Sequence, residues 1–355
     1  MDAVALLALL ASSAPAAPAA VSSSTSAARA EVTLSAAGDI RLDGPIAAIA
    51  RKGGPGAPSR AIKRALAADI VFANLETPVT TRGDKTPKTW NFRARPADLK
   101  IPRAAGVTAL NIANNHVWDY GERGFLDTLH ALDRGHWRYV GGGLDRARAE
   151  RVRVFKVRGL SVGIVGLTST HPRAAWAGPR KPGVAYSDYA RIPDIVRRAK
   201  KKCDVLIVSF HGGTELAEYP NDIQKAVAHA AIRSGADLFL GHHPHVLQPV
   251  EIYQGKPIVY SLGNFLFVSP STATRSEAIV RVEMNRDGVQ QLTFVPLDGN
   301  WGRPKPASAE VAAQARAALD RLGAFEQRPD LLIFESPEST PKDIPGPSVG
   351  RTAHP

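Results

Sequence analysis

The chain has 355 residues, 44% of them hydrophobic and 22% charged, enough to bury a large core in one big domain or two modest ones and too apolar for a disordered protein. Its single cysteine, Cys203, excludes an intramolecular disulfide framework and any Cys-rich zinc module, so a metal site must be built from histidine, carboxylate and amide groups. The formal charge of +12 suits a polyanionic partner, but the excess is scattered, and its densest run, from Arg197 to Lys202, falls at a predicted helix end without interleaved aromatics, so nucleic acid is not an expected partner.

Residues 1–30 read as a signal peptide and linker. The apolar block Val4 to Leu10 is far too short to span a bilayer, and the small residues from Ala11 to Ala20 resemble a cleavage region. Asp2 stands where a positive flank is usual, and an unstructured Ala/Ser/Pro leader is the alternative. The expectation is export, to the periplasm or cell envelope.

From Glu31 onward short β-branched runs alternate with helical stretches, the pattern of a sheet flanked by helices. Candidate strands are Val32 to Ser35, Ile70 to Asn74, Ala109 to Ile112, Ser161 to Leu167, Val205 to Phe210, Leu238 to Leu240 and Ile258 to Ser261, each apolar on both faces, as buried strands are. Phe125, Leu129 and Leu132 predict a helix closed by Gly135, and Ile223, Val227, Ala230 and Ala231 predict another, with Gly235 just past its end. Ala278 to Glu283 and Gln290 to Val295 read as a hairpin around Asp287 and Gly288, a pair suited to a type I′ turn. These late strands would lengthen the sheet or add a second one. Ala307 to Leu322 predicts an amphipathic helix, and the Pro/Ser-rich tail beyond Glu335 is expected to be mobile. The chain thus divides into a leader (1–30), a main domain (31–300) and a C-terminal helix and tail (301–355).

Ligand-capable residues recur at the carboxyl ends of these strands, where open α/β sheets place their sites. Asp39 follows the first strand, Glu76 the second, and Asn111-Ile-Ala-Asn-Asn-His116 the third. The fifth ends at Ser209-Phe-His211 and the sixth at Gly241-His-His-Pro-His245. A lone aspartate after a strand is usually a cap or turn former. Successive strand ends of this kind are different, because a parallel sheet brings them to one edge. Of the ten histidines, His116, His171, His211, His242, His243 and His245 stand at such ends or in the turns after them. His243-Pro-His245 can present two imidazoles to two neighbouring ions, and two divalent cations roughly 3.5 to 4 Å apart could share one bridging group and activate water for attack on a phosphoester. Mixed nitrogen and oxygen donors suit manganese, iron or zinc better than calcium.

In this order the residues resemble the CapA family of poly-γ-glutamate capsule biosynthesis proteins, which is related to the calcineurin-like metallophosphoesterases. The resemblance rests on Gly38-Asp39, Asn74-Leu-Glu76, Asn114-Asn-His116 with Asp119-Tyr-Gly121, Gly141-Gly-Gly143, His211-Gly, Gly241-His-His-Pro-His-Val246 and Tyr260-Ser-Leu-Gly-Asn-Phe265. It covers about Val32 to Phe267 and continues into the late hairpin. It implies an α/β fold, a four-layer α/β/β/α sandwich of metallophosphoesterase type, with one or two divalent ions at the strand ends. Asp39 would be a ligand of the first site and Glu76 would stand at the bridging position. Asn115, His211 and His243 would hold the second ion, His245 the first, and His116 would polarise or protonate the leaving group.

The chain departs from the phosphoesterase pattern at two positions. Arg41 stands where a histidine follows the first aspartate by two residues, and Glu76 replaces an aspartate. One site therefore loses a neutral ligand and gains a nearby cation, while Arg41 could grip a phosphate or carboxylate of the substrate through its guanidinium fork and, as a catalytic residue, share with the metal the charge on the phosphoryl oxygens during attack. Asn264 could offer the substrate an amide. Two functions remain open. One is metal-dependent hydrolysis of a phosphoester in the synthesis, export or trimming of an anionic capsule polymer, chemistry that a Lewis acid could extend to a γ-amide. The other is a non-catalytic polymer-binding or assembly component. The expected partners are an anionic polymer or phosphorylated small substrate and membrane proteins of the capsule machinery.

Overall fold

The computed structural model describes residues 32–268 and 271–335. The leader expected over 1–30 and the tail expected to be mobile beyond Glu335 lie outside the described residues. In chain order the strands are β1 (Val32–Ile40), β2 (Ile70–Leu75), β3 (Ala109–Asn111), β4 (Arg138–Val140), β5 (Gly142–Gly143), β6 (Arg153–Val157), β7 (Leu160–Thr168), β8 (Gly183–Val184), β9 (Val205–His211), β10 (Leu238–His242), β11 (Leu247–Tyr253), β12 (Lys256–Leu262), β13 (Asn264–Leu266), β14 (Ser276–Asn285), β15 (Gly288–Asp298), β16 (Lys305–Pro306) and β17 (Leu332–Phe334). The helices are α1 (Gly44–Gly53), α2 (Lys100–Ala105), α3 (Gly121–Arg134), α4 (Arg146–Ala149), α5 (Ile192–Lys200), α6 (Asp222–Arg233), α7 (Thr272–Arg275), α8 (Ala309–Leu319) and α9 (Ala324–Gln327).

One sheet runs β16-β15-β14-β1-β2-β3-β4, with β13 beside β1 and β17 beside β15, and the other runs β11-β12-β10-β9-β7-β6. Both have parallel centres: β1 to β4 in the first, and β7, β9, β10 and β12 in the second. Successive side chains of a strand point to opposite faces, and the apolar runs follow that period into separate layers. Leu34, Ile70, Phe72, Ile164, Ile207 and Leu240 meet between the sheets. The alternate residues Val71, Ala73 and Leu75 pack outward on Ile46 of α1, Ile101 of α2 and Phe125 and Leu129 of α3. On the far side Leu206, Val208 and Phe239 pack on Ile195 and Val196 of α5 and Val227 and Ala231 of α6. The result is four layers, helices outside and two sheets within.

The late hairpin extends the first sheet, because β14 pairs antiparallel with β1. Its turn corrects the sequence expectation. A type I′ turn needs positive φ at both central residues, yet neither Arg286 nor Asp287 has it, and Gly288 does, at φ 111°. Asn285 pairs with Gly288, and Asn285 Oδ1 accepts from Asp287 N at 2.8 Å. The asparagine side chain closes the turn locally, so the left-handed residue moves one place on, to the glycine. The predicted C-terminal helix is α8, whose Ala315, Ala318 and Leu319 enter the inter-sheet core. The cationic run ends α5 as expected, with Arg197 paired to Asp194, Arg198 to Glu150 and Lys200 to Asp237.

Candidate metal centre

The parallel register carries the polar residues to one edge. Asp39 is level with Asn74 of β2 and Asn264 of β13, Asn74 is level with Asn111 of β3, and His211 of β9 is level with His242 of β10. Gly38 makes the approach of β1 to β13 possible: a Cβ there would lie 2.0 Å from Gly263 O. Asp39 N donates to that same carbonyl at 3.0 Å, so the glycine sets the position of the aspartate that follows it. The turn after β10 is held in a backbone conformation that non-glycine residues seldom take, with φ 101° at His243 and 59° at His245.

Asp39, Glu76, His211 and His243 are buried. Glu76 N donates to Ile40 O at 2.9 Å, which fixes its carboxylate beside the end of β1. Donor atoms of Glu76, His211 and His243 all lie within 4.8 Å of one another, and so do those of Asp39, Glu76 and His245. Glu76 is common to both groups. His211 Nε2 is 2.8 Å from Asn115 Oδ1 and 3.4 Å from Glu76 Oε1. His245 Nδ1 is 3.4 Å from Asp39 Oδ2, and its Nε2 is 3.8 Å from Glu76 Oε1. The sequence therefore brings together Asp39, Glu76, Asn115, His211, His243 and His245, whereas His171 lies exposed beside Trp176.

An asparagine network that the sequence reading did not single out joins the two sheets. Asn74 Nδ2 donates to Asp39 Oδ1 at 2.8 Å and stands 3.1 Å from His211 Nδ1. Asn74 Oδ1 accepts from Asn111 and Asn114 at 3.0 and 3.3 Å, which fixes the orientation of the amide. Asn114 also accepts from His116 N and Val117 N, building the turn that presents Asn115 and His116. His116 Nδ1 donates to Asp119 Oδ2 at 2.8 Å. Lys88 pairs with Asp119 and donates to Asn115 O at 3.0 Å. Asp119 stood in the His116 motif and was readable there; Lys88 comes from an irregular loop that carries no periodic signal. Asn264 Oδ1 accepts from His245 Nδ1 at 2.9 Å, so its amide orients a candidate ligand.

Burial dominates the electrostatics. It lowers His211 to about 3 and His242 to about 4, despite the pull of Asp39 in each case. It also holds His243 well below the usual imidazole range. These rings are neutral at pH 7, the form that coordinates metals. Burial raises Glu76 against the opposing pull of His245, His116 and Lys88. Burial also works against charge on His245, but Glu76, Asp39 and the Asn264 hydrogen bond outweigh it and raise its pKa.

The donor set fits a divalent cation. Both carboxylate oxygens of Glu76 and Nδ1 of His243 are buried without a hydrogen-bond partner among the described residues, as are both ring nitrogens of His242 beside Asp39. A buried carboxylate with no donor is costly, and a cation among two imidazoles and two carboxylates would satisfy it.

Two face-packed sheets with helices outside and a buried imidazole–carboxylate cluster at their parallel strand ends define a four-layer α/β/β/α protein with a candidate metal centre between its sheets. Residues 33–269 match the bacterial capsule synthesis protein PGA_cap family. The chain belongs to that family, as the sequence resemblance implied. It is 34% identical to the PGA biosynthesis protein CapA of Bacillus subtilis, over 70% of this chain and 66% of the relative. It is 31% identical to the capsule biosynthesis protein CapA of Bacillus anthracis, over 84% of this chain and 72% of the relative. Among solved structures, the fold is similar to a 5′-nucleotidase precursor from Thermus thermophilus (16% identity, TM-score 0.46, 83% of this chain and 58% of the other). It is also similar to the NAD nucleotidase of Haemophilus influenzae (13% identity, TM-score 0.43, 86% and 57%).

Proposed function

We propose that the chain is an exported component of anionic capsule biosynthesis that hydrolyses a phosphoester during synthesis, export or trimming of a poly-γ-glutamate-type polymer. The observation that carries this reading is Glu76, a buried carboxylate without a hydrogen bond among the described residues, common to two groups of potential ligands. The polymer comes from the family and from the names of the two Bacillus relatives. Asp39, Glu76 and His245 would hold one manganese, iron or zinc ion, and Glu76, Asn115, His211 and His243 a second. A cation so held supplies Lewis acidity toward a phosphoryl oxygen and lowers the pKa of water. The chain's own part is positional. Asn74 keeps Asp39 and His211 in register across the sheets, and Asp119 accepts the hydrogen bond of His116 Nδ1–H. With Nδ1–H held by Asp119, a ring that carries its second proton on Nε2 would give that proton to the leaving oxygen and return to the neutral form.

The roles separate under mutation. Replacing His243 by alanine removes a ligand, and since even supporting partners of ligands cost about 10- to 100-fold in metal affinity, metal content should fall by at least that much. His116→Ala should retain metal and lose about 10²- to 10⁴-fold in rate. Elemental analysis and a manganese-supported phosphodiester assay read both, and equal metal loss in the two variants contradicts the assignment.

Arg41 favours a second reading. It stands where the phosphoesterase pattern has a histidine, so the Asp39 group holds one imidazole, His245. A polymer-binding or assembly component without turnover would tolerate that loss. A purified protein with no bound metal and no turnover supports this alternative.

A further inference from the structure

Arg41 is built into the wall of the candidate metal centre. Its guanidinium carbon lies 4.0 Å from the centroid of the Phe92 ring and 5.9 Å from that of Phe267. The Phe92 ring also stacks on His116, with centroids 3.9 Å apart and planes 13° apart. Two groups cannot both lie over one face of a phenyl ring at that distance, so Phe92 is sandwiched between them. Phe267 meets Phe92 edge-on at 5.8 Å and contacts His245 at 4.8 Å. Arg41 is thus tied through one ring to His116 and through another to His245.

The stack is fixed at both ends. Phe92 N donates at 2.6 Å to Asp119 Oδ2, the oxygen that also accepts from His116. Arg41 Nε pairs with Asp43 Oδ1, and Asp43 Oδ2 accepts from Arg93 N at 3.1 Å. The terminal Nη1 and Nη2 groups have no hydrogen-bond partner among the described residues, and the side chain is 23% exposed. A guanidinium held by a carboxylate and aromatic faces, with its outer nitrogens open, is a preorganised fork for an oxyanion.

We infer that Arg41 anchors a second anionic group of the ligand, two ring-stacking distances from His116, so that the site selects molecules with two separated oxyanions over those with one. This rests on the metal-centre reading for the first anion, since the cation would take it. Phe92 is the positioning residue that sets the spacing. Carboxylates along a glutamyl chain and phosphates of a phosphorylated precursor share this chemistry, and paired probes distinguish them.

The test is calorimetric binding to the manganese-loaded full chain of three probes: inorganic phosphate, a γ-linked glutamate tetramer, and a small bisphosphate with separated phosphates. Phosphate needs only the cation, whereas the other two need Arg41 as well. Arg41→Gln should weaken the tetramer or the bisphosphate at least 10-fold and leave phosphate unchanged, and whichever probe shows the loss identifies the ligand class. Arg41→Lys keeps the charge without the fork and should recover part of the affinity. Phe92→Leu should weaken the same probe with phosphate untouched. Unchanged binding of both divalent probes in Arg41→Gln overturns the inference, as does an equal loss for phosphate. Wild-type protein that takes up no manganese and binds no phosphate rejects the metal-centre reading instead, independently of the Arg41 comparison.

Discussion

Glu76 shows how a single side chain can hold function at the expense of stability. Its carboxylate is buried with no donor among the described residues, and its pKa is raised by that burial. A neutral amide of the same shape escapes most of the desolvation. Glu76→Gln should therefore stabilise the metal-free protein by about 1–3 kcal/mol and abolish metal uptake. Thermal melts with and without a chelator check this: the variant should melt higher than wild type in chelator and gain nothing from added manganese. A variant that melts lower than wild type in chelator contradicts the account of Glu76 as an unsatisfied charge. Because a proton competes with metal for this raised carboxyl, wild-type metal affinity should also fall as pH is lowered from neutrality. At this scale Asp39, Glu76 and the histidines were legible because their residue types recur after strand-forming runs. Asn74 was quoted within a motif, yet its bridging role depends on His211 coming from the opposite sheet. Lys88 and Phe92 lie in a loop whose path no local pattern encodes.

The strand ends are where elements become chemistry, and glycine decides how closely they approach. Gly38 allows β1 to lie against the Gly263 carbonyl, and Gly241 makes the same kind of contact with Tyr260 O, each with room for no Cβ. Gly38→Ala must push β1 and β13 apart, and overpacking of a tight contact costs about 1–3 kcal/mol. The displaced Asp39 should lower metal content as well as melting temperature. An alanine variant that melts lower yet keeps full metal content would show that Asp39 is not a ligand. Long, two-sided apolar strands such as β7 and β9 were readable from the sequence, as were α3, α6 and the late hairpin. The three-residue strands β4, β13 and β17 contain too little period to be seen, whereas β3, equally short, stood out as an apolar run ahead of the Asn111–His116 motif. The hairpin's turn type was misread because Asn285 closes the turn with its own side chain, which the Asp-Gly pair does not reveal.

For the whole molecule, alternating strands and helices gave a layered α/β architecture, but the sheet order is a tertiary property: β14 reaches β1 from the far end of the sequence. The resemblance, not periodicity, supplied the second sheet. The densest cationic run is paired within the fold, Arg197, Arg198 and Lys200 included, so its density does not mark a partner surface. Side chains from both sheets would converge to hold a cation. Anomalous diffraction from crystals of the full chain grown with manganese tests it most directly. A peak is expected that is bounded by Glu76 and by His211 with His243, or by Asp39 with His245, and that disappears in Glu76→Gln. Well-ordered crystals with no anomalous density at these residues would contradict it.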